Sequence, residues 1–288
     1  MTMQNNELPK VSVLVPCFNH EKYIYQCLES LTLAYSGALE IIICDDASTD
    51  QSVNIIDDFI SKNASESLSF TFIKRTNNKG VSASLNSCIE RSTSDYIYII
   101  ASDDFLIPNG LTCALEKILN ENADAVISDC RVVDDEGQIV SDSAFFSFRK
   151  SSPDRLIKNI ANELVFNWNV PGPSLVLKKD VYKKIGSYNE NLMAEDRDFY
   201  LRLNSKTNVI FNFDVIANYR VHNSNLSRKK EYLIKKDKEF ALVNYKWAKL
   251  YSGVPALYLK SYKLDVLGFR ILPRVLRKLL RIIYISIH

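Results

Sequence analysis

Apolar residues in this chain come in short unbroken runs, each ending in a polar or acidic turn. Val11-Ser12-Val13-Leu14-Val15 stops at Pro16, and Ile41-Ile42-Ile43-Cys44 stops at Asp45-Asp46. Tyr96-Ile97-Tyr98-Ile99-Ile100 runs into Ala101-Ser102-Asp103-Asp104. Runs that are continuous rather than alternating predict strands buried on both faces. Residues 70–74 and 125–133 add two more. Between these runs the spacing becomes helical, with Ile24, Leu28 and Leu31, then Ile55, Ile56 and Phe59, then Val81, Leu85 and Ile89. A further helix opens at Pro108. Strand and helix alternate four times in the first 125 residues. That pattern predicts an α/β fold, a mostly parallel sheet flanked by helices on both faces.

The second half is less regular. Residues 145–150, aromatic and basic, read as a mobile loop. Residues 167–173 break the chain before a strand at 174–177 and a short helix ending at Gly186. Residues 193–203 read as a helix that opens on Glu195-Asp196-Arg197-Asp198. Two short strands follow at 209–213 and 216–221, the latter entering His222.

Length and composition narrow the picture. The 288 residues, 47% hydrophobic and 24% charged, suit one large globular domain, or one domain plus an appendage. The net charge of +2 hides an asymmetry, because from Arg228 onward 15 Lys and Arg face only 4 Asp and Glu. A mildly acidic body therefore carries a strongly basic tail, whose expected partner is an anionic surface. The six cysteines (17, 27, 44, 88, 113 and 130) show no CxxC spacing, and several lie inside apolar runs. That is the usage of a reducing cytosol, with thiols serving as small core residues. Residues 1–10 lack the apolar stretch of a signal peptide, and no window of 18 apolar residues predicts a membrane span. The absence of GxGxxG after any strand argues against a dinucleotide site, and the absence of GxxxxGK[ST] removes the P-loop NTPases.

The chemistry concentrates in the acidic turns. Open α/β sheets place ligands at the carboxyl ends of their strands, where Asp103 and Asp104 stand. Adjacent carboxylates repel unless a cation sits with them, and hard oxygen ligands suit Mg2+ or Mn2+. An Asp-Asp helix cap ahead of Pro108 is the competing reading, and the pair alone does not separate the two.

Seven stretches, in order, carry a resemblance: VSVLVPCFNHEKYIYQCLESL, EIIICDDASTD, NNKGVSASLN, YIYIIASDDFL, GPSLVLKKDVYKKIGSYNENL, AEDRDFYLRL and YRVH. Together they make the chain resemble family 2 glycosyltransferases, inverting nucleotide-sugar enzymes of the Rossmann-like GT-A fold. The resemblance covers residues 11–222, so residues 1–226 are expected to form the GT-A domain. Residues 227–288 would then be a helical, basic extension. The resemblance implies that Pro16 and Phe18 line the nucleotide base, although the family usually has tyrosine at position 18. It implies that Asp46 accepts a hydrogen bond from a uracil ring, with a helix cap beside Ser48 as the alternative role. Glu21 would support the first loop, and Lys79 would contact phosphate or base. Asp103 and Asp104 stand where the family has its DxD-type motif, with Asp104 implied as metal ligand and Asp103 as a ligand of the ribose, or of the metal through water. Asp196 matches the catalytic base of the ED motif, and Glu195 beside it would orient the loop or the acceptor. His222, in the YRxH ending, would join the metal or the diphosphate. Trp168 would stack on an acceptor sugar, or else belong to the core.

Taken together, these readings imply transfer from a nucleotide sugar, a UDP-sugar above all, to a lipid-linked or polysaccharide acceptor. Mn2+ or Mg2+ is the implied cofactor, and no nucleic acid is expected as a partner. A sugar nucleotidyltransferase would need a glycine-rich phosphate loop, which Pro16-Cys17-Phe18-Asn19 is not. A catalytically silent nucleotide-sugar-binding or scaffold protein would be expected to lose carboxylates, yet Asp46, Asp103, Asp104 and Asp196 are all present. In the tail, Arg270, Arg274, Arg277, Lys278 and Arg281 fall at helical spacing opposite Leu272, Val275, Leu276, Leu279 and Ile283. A basic amphipathic helix of this kind lies in a membrane interface, so the chain is expected to be cytoplasmic and peripheral on the inner membrane face, with a helix packed on the body or in a dimer as the alternative.

Overall fold

The computed structural model describes residues 8–149, 151–222, 230–269 and 271–287. The first half runs β1 (Val11–Cys17), α1 (Ile24–Ala34), β2 (Leu39–Asp45), α2 (Ser52–Asn63), β3 (Leu68–Lys74), α3 (Val81–Arg91) and β4 (Tyr96–Ile99). Then come β5 (Phe105–Leu106), α4 (Gly110–Asn120), β6 (Ala125–Val133), β7 (Ile139–Ser141), α5 (Ala144–Arg149) and α6 (Pro153–Phe166). β8 (Leu175–Lys178), α7 (Val181–Ile185), α8 (Glu195–Lys206) and β9 (Val209–Arg220) complete the body. The C-terminal part is helical, with α9 (Lys230–Trp247), α10 (Gly253–Lys260), α11 (Lys263–Val266) and α12 (Leu272–Ile287).

The strands form one sheet in the order β3-β2-β1-β4-β8-β6-β9-β5, with β7 paired to β6. β1 lies parallel to β2 and to β4, and β6 lies parallel to β9, while β8 and β5 run antiparallel to their neighbours. The unbroken apolar runs are explained by the two faces. Val11, Val13 and Val15 point toward α1, α2 and α4, with Ile41 and Ile43. Leu14, Ile42, Ile97 and Ile99 point the other way, toward α3, α6 and α8. Most positions are therefore apolar, apart from Ser12 and Glu40, which hydrogen-bond each other at 2.6 Å, and each buried apolar side chain contributes roughly 1.5–3 kcal/mol relative to exposure. One close approach demands glycine, since a Cβ on Gly110 would lie 2.2 Å from the Ile216 carbonyl oxygen. The chain leaves β1 for β2 on one side and returns to β4 on the other. That reversal opens a crevice at the carboxyl ends of β1 and β4.

Two expectations are corrected. Residues 145–150 are no mobile loop, because residues 144–149 form α5. Asp129 holds it in place by accepting the Ala144 N–H and the Ser143 hydroxyl, and Phe145 buries itself edge-on against Phe211. The two short strands at 209–221 are one, β9, whose register against β6 slips opposite Ser128–Cys130. The slip bends the strand without ending it, as bulges do.

The basic extension is docked on the body. Arg197 of α8, 1% exposed, donates to the carbonyls of Leu164 (2.7 Å) and Val165 (3.2 Å) at the end of α6. It also donates to Asn244 Oδ1 on α9 at 2.9 and 2.8 Å. Trp247 Nε1 donates to Asp198 at 2.7 Å. Val165, Phe166 and Leu201 share a core with Val243, Leu259 and Tyr284, and the Phe166 and Tyr284 rings stack at 4.2 Å. α12 faces this core through Pro273, Leu280 and Tyr284, and Arg277 pairs with Asp265. The apolar side noted in the sequence points outward instead, with Leu272, Val275 and Leu279 each more than half exposed and Leu276 and Ile283 exposed to a lesser degree; Ile282 lies exposed beside them. Arg270 lies outside the described residues.

Candidate active site

Three strand ends meet at the crevice. The loop after β1 brings His20, whose N–H donates to Ser52 Oγ at 3.0 Å. The turn after β4 brings Ser102 and Asp103, and β9 delivers His222. Asp103 Oδ2 lies 2.9 Å from His222 Nε2 and 3.9 Å from His20 Nε2. His20 Nδ1 is 2.8 Å from Ser102 Oγ. The His222 ring stacks on Tyr23 at 4.9 Å. One ligand atom from each of His20, Asp103 and His222 falls within 4.8 Å of the others.

The two adjacent carboxyls differ sharply. Burial raises both, but the His222 hydrogen bond and the nearby His20 bring the Asp103 carboxyl below its ordinary range. Asp104, fully buried beside Asp103, is pushed well above it by desolvation and by that neighbouring charge. Asp104 Oδ1 accepts the Arg220 N–H at 2.8 Å. The Arg220 guanidinium in turn donates to the carbonyls of Asp103, Asp134 and Asp135 and to Gln26. The structure thus groups His222 with Asp103, whereas the sequence expectation grouped it with Asp104. The turn directs Asp103 toward the histidines and Asp104 toward the β9 backbone. A carboxylate oxygen and an imidazole nitrogen converging at 2.9 Å in a buried crevice fit a divalent cation.

The nucleotide-side residues are spread around the same edge. Pro16 is half-buried beside Cys44, and Phe18 is 43% exposed at the rim. Asp46 does not cap α2 beside Ser48. Its carboxylate accepts the N–H groups of Lys79 (2.9 Å) and Gly80 (2.7 Å) and is paired with Arg75 at 3.1 Å. Asp45 takes the Ser48 N–H instead, and its second oxygen is buried with no partner among the described residues. Glu21 accepts the Gln51 N–H at 2.8 Å, tying the first loop to the start of α2. The Lys79 side chain is exposed.

Asp196 and Glu195 open α8. Asp196 Oδ1 accepts the Arg197 N–H at 2.7 Å, and Oδ2 lies 3.3 Å from Lys236 Nζ on α9. Burial and the neighbouring Asp196 charge push Glu195 up to about 8. Glu239 of α9 accepts the Met193 and Ala194 N–H groups just before the helix. Trp168 is half-buried, its ring 5.3 Å from Tyr200 and 5.0 Å from the Arg197 guanidinium. Sequence reasoning missed His20, Ser102, Arg220, Lys236 and Glu239. His20 carried a signal, since it closes the loop after the first strand. Lys236 and Glu239 carried none, because they lie about forty residues from their partners.

A family model described as glycosyl transferase family 2 matches residues 12–186, more than half of the chain. Chondroitin synthase of Escherichia coli is 28% identical over 262 residues, which span 89% of this chain and 34% of that protein. The probable glycosyltransferase YdaM of Bacillus subtilis is 27% identical over 205 residues, 68% of this chain and 47% of that one. The chain thus spans between a third and a half of these relatives. Among solved structures, residues 1–349 of S. aureus TarS in complex with UDP-GlcNAc superpose with a TM-score of 0.65 at 20% identity. That match covers 90% of this chain and 72% of that one. The mannosyltransferase PcManGT from Pyrobaculum calidifontis, in complex with GDP-Man and Mn2+, gives a TM-score of 0.66 at 16% identity, covering 91% and 70%. The architecture is the GT-A fold, and with the family model matching more than half of its residues, the chain belongs to glycosyl transferase family 2.

Proposed function

We propose that this chain transfers a sugar from a nucleotide sugar, a UDP-sugar, to a glycan or lipid-linked acceptor, with inversion at the anomeric carbon. The observation that carries the reading is the Asp103–His222 pair in the β1/β4 crevice, on the edge of the sheet where such folds hold nucleotides. Asp196 takes the acceptor hydroxyl proton as the acceptor oxygen bonds to the anomeric carbon. The bond from that carbon to the diphosphate breaks, its electron pair leaving with the diphosphate. One displacement inverts the centre. Burial and the neighbouring Asp196 charge hold the Glu195 carboxyl above the usual carboxylate range, which suits it to orienting groups beside the base. Pro16 and Phe18 pack the nucleobase, and Asp46 holds the Lys79–Gly80 backbone as the base-end wall. Lys79 faces phosphate, and Trp168 offers a stacking surface to the acceptor. Asp103 and His222 would hold Mn2+ or Mg2+, which would supply positive charge to the departing diphosphate. The UDP preference draws support from the UDP-GlcNAc complex of TarS.

A panel of UDP- and GDP-sugars, each with Mn2+ or Mg2+, tests this by thermal stabilisation and by NMR of the product linkage. UDP-sugars should stabilise the protein only with metal, and Asp103→Asn should abolish that gain. Stabilisation by no nucleotide sugar, or a product of retained configuration, would overturn the reading.

The extension belongs to the same proposal. No helix among the described residues is long and apolar enough to cross a membrane. α12 instead presents exposed Leu272, Val275, Leu279 and Ile282 together with exposed Arg274, Lys278 and Arg281. Such a helix settles on an anionic leaflet, each basic residue contributing about 1 kcal/mol. This supports a peripheral enzyme on the cytoplasmic face. The full chain should sediment with anionic vesicles at low salt, and Leu279→Asp with Ile282→Asp should release it. No sedimentation of the unaltered chain would remove the membrane from the proposal.

A further inference from the structure

We propose that His20 is a third protein ligand of the metal, completing a two-histidine, one-carboxylate site that selects Mn2+ over Mg2+. The inference rests on the metal dependence proposed above and extends it to a residue for which the family resemblance implied no role.

Geometry comes first. Metal–ligand distances of about 2.1 Å put neighbouring ligand atoms about 3 Å apart and opposite ones about 4.2 Å apart. The two measured separations from Asp103 Oδ2, 2.9 Å to His222 and 3.9 Å to His20, fall in that range. The whole set spans no more than 4.8 Å, so small side-chain rotations bring all three atoms onto one ion. At 3.9 Å the His20 nitrogen is beyond hydrogen-bond reach of Asp103, so the convergence is not a hydrogen bond between those two groups.

Orientation comes next. A metal-binding imidazole is fixed by what its other nitrogen touches. His20 Nδ1 meets Ser102 Oγ at 2.8 Å, which aims Nε2 at Asp103. In that arrangement Nδ1–H donates to the serine oxygen and Nε2 presents its lone pair. The backbone of the same residue is held by Ser52, so the ring hangs from a fixed loop. The three ligands come from the ends of β1, β4 and β9. Three protein ligands would leave the remaining positions of a six-coordinate ion to diphosphate oxygens and water.

Selectivity follows from the donor set. Mg2+ favours oxygen ligands in a near-ideal octahedron, whereas imidazole suits first-row transition ions. Two imidazoles and one carboxylate thus shift preference toward Mn2+. With only Asp103 and His222, the preference would be weaker.

The test is Mn2+ titration of the full chain without nucleotide, followed by electron paramagnetic resonance, with Mg2+ competition. Unaltered protein should bind Mn2+ at least about 10-fold more tightly than Mg2+, and spin-echo modulation should register two imidazole nitrogens. His20→Ala should weaken Mn2+ by at least about 10-fold, the scale of losing even an outer-shell partner, and leave one nitrogen coupling. His20→Gln, which keeps a polar contact to Ser102, should behave like His20→Ala and guards against a folding defect. If both variants keep Mn2+ affinity within about 2-fold and both nitrogen couplings, His20 is no ligand. In that case loss of Mn2+ in Asp103→Asn would still leave the proposed metal reading standing. If the unaltered chain binds no Mn2+ even with UDP, both the inference and that reading fall.

Discussion

Replacing Asp196 by asparagine is expected to lower turnover by about 100-fold or more while leaving donor and metal affinity nearly unchanged. Asparagine keeps the size of the side chain and an oxygen for the Arg197 N–H, so α8 should start as before. It cannot accept a proton, and it cannot carry the charge that faces Lys236 at 3.3 Å. Donor binding rests on the crevice residues, which belong to other elements, so calorimetry with UDP and Mn2+ should match the unaltered chain. If Asp196 served only to begin the helix, neither stability nor rate should move. A near-normal turnover number at saturating donor and acceptor would shift the base elsewhere.

Removing the Arg197 guanidinium should have the largest effect on stability. Its donors reach two carbonyls of α6 and the Asn244 side chain of α9, and its plane lies 5.0 Å from Trp168 and 5.2 Å from Phe240. Arg197→Ala leaves those acceptors buried without this donor, and each such loss costs about 1–3 kcal/mol. An overall destabilisation of about 3–5 kcal/mol follows, because partial relaxation and water entry keep the costs from adding fully. At about 2 °C per kcal/mol for a chain of this size, Tm should fall by about 6–10 °C. Arg197→Lys should recover little, since one ammonium cannot serve both helices at once. A loss below about 1 kcal/mol in Arg197→Ala would show that the joint between α8 and α9 is held by its apolar contacts alone.

The strands were legible because burial on both faces leaves little room for alternation, so β1, β2 and β4 appear as apolar runs interrupted by the mutually hydrogen-bonded Ser12 and Glu40. α5 was not, because Phe145 enters the core while Phe146 and Phe148 stay exposed, a composition that resembles a loop. The motif carboxylates were found as a pair, but adjacent aspartates look alike in a sequence. Which one faces the crevice is decided by the turn after β4 and by the Arg220 N–H, from a strand more than a hundred residues away. His20 and Lys236 share that limit, since each acquires its role from partners that only the fold brings near. The basic character of the tail was visible from charge counting, whereas its docking through Asn244 and Trp247 was not. Neither residue differs in a sequence from an ordinary helix position.

The same joint sets an order on synthesis. As the chain leaves the ribosome, residues 164–206 emerge well before residues 244–247, so Arg197 and Asp198 appear before their partners on α9. During that interval a guanidinium and a carboxylate bound for the interior still need water, and α8 cannot settle into its final bed. The parallel strands β1 to β4 precede that joint in the chain and pair with one another independently of α9. The helix bearing Asp196 is then among the last parts to lock. A nascent chain halted before α9 would hold the nucleotide-side crevice but leave the α8 joint unmade.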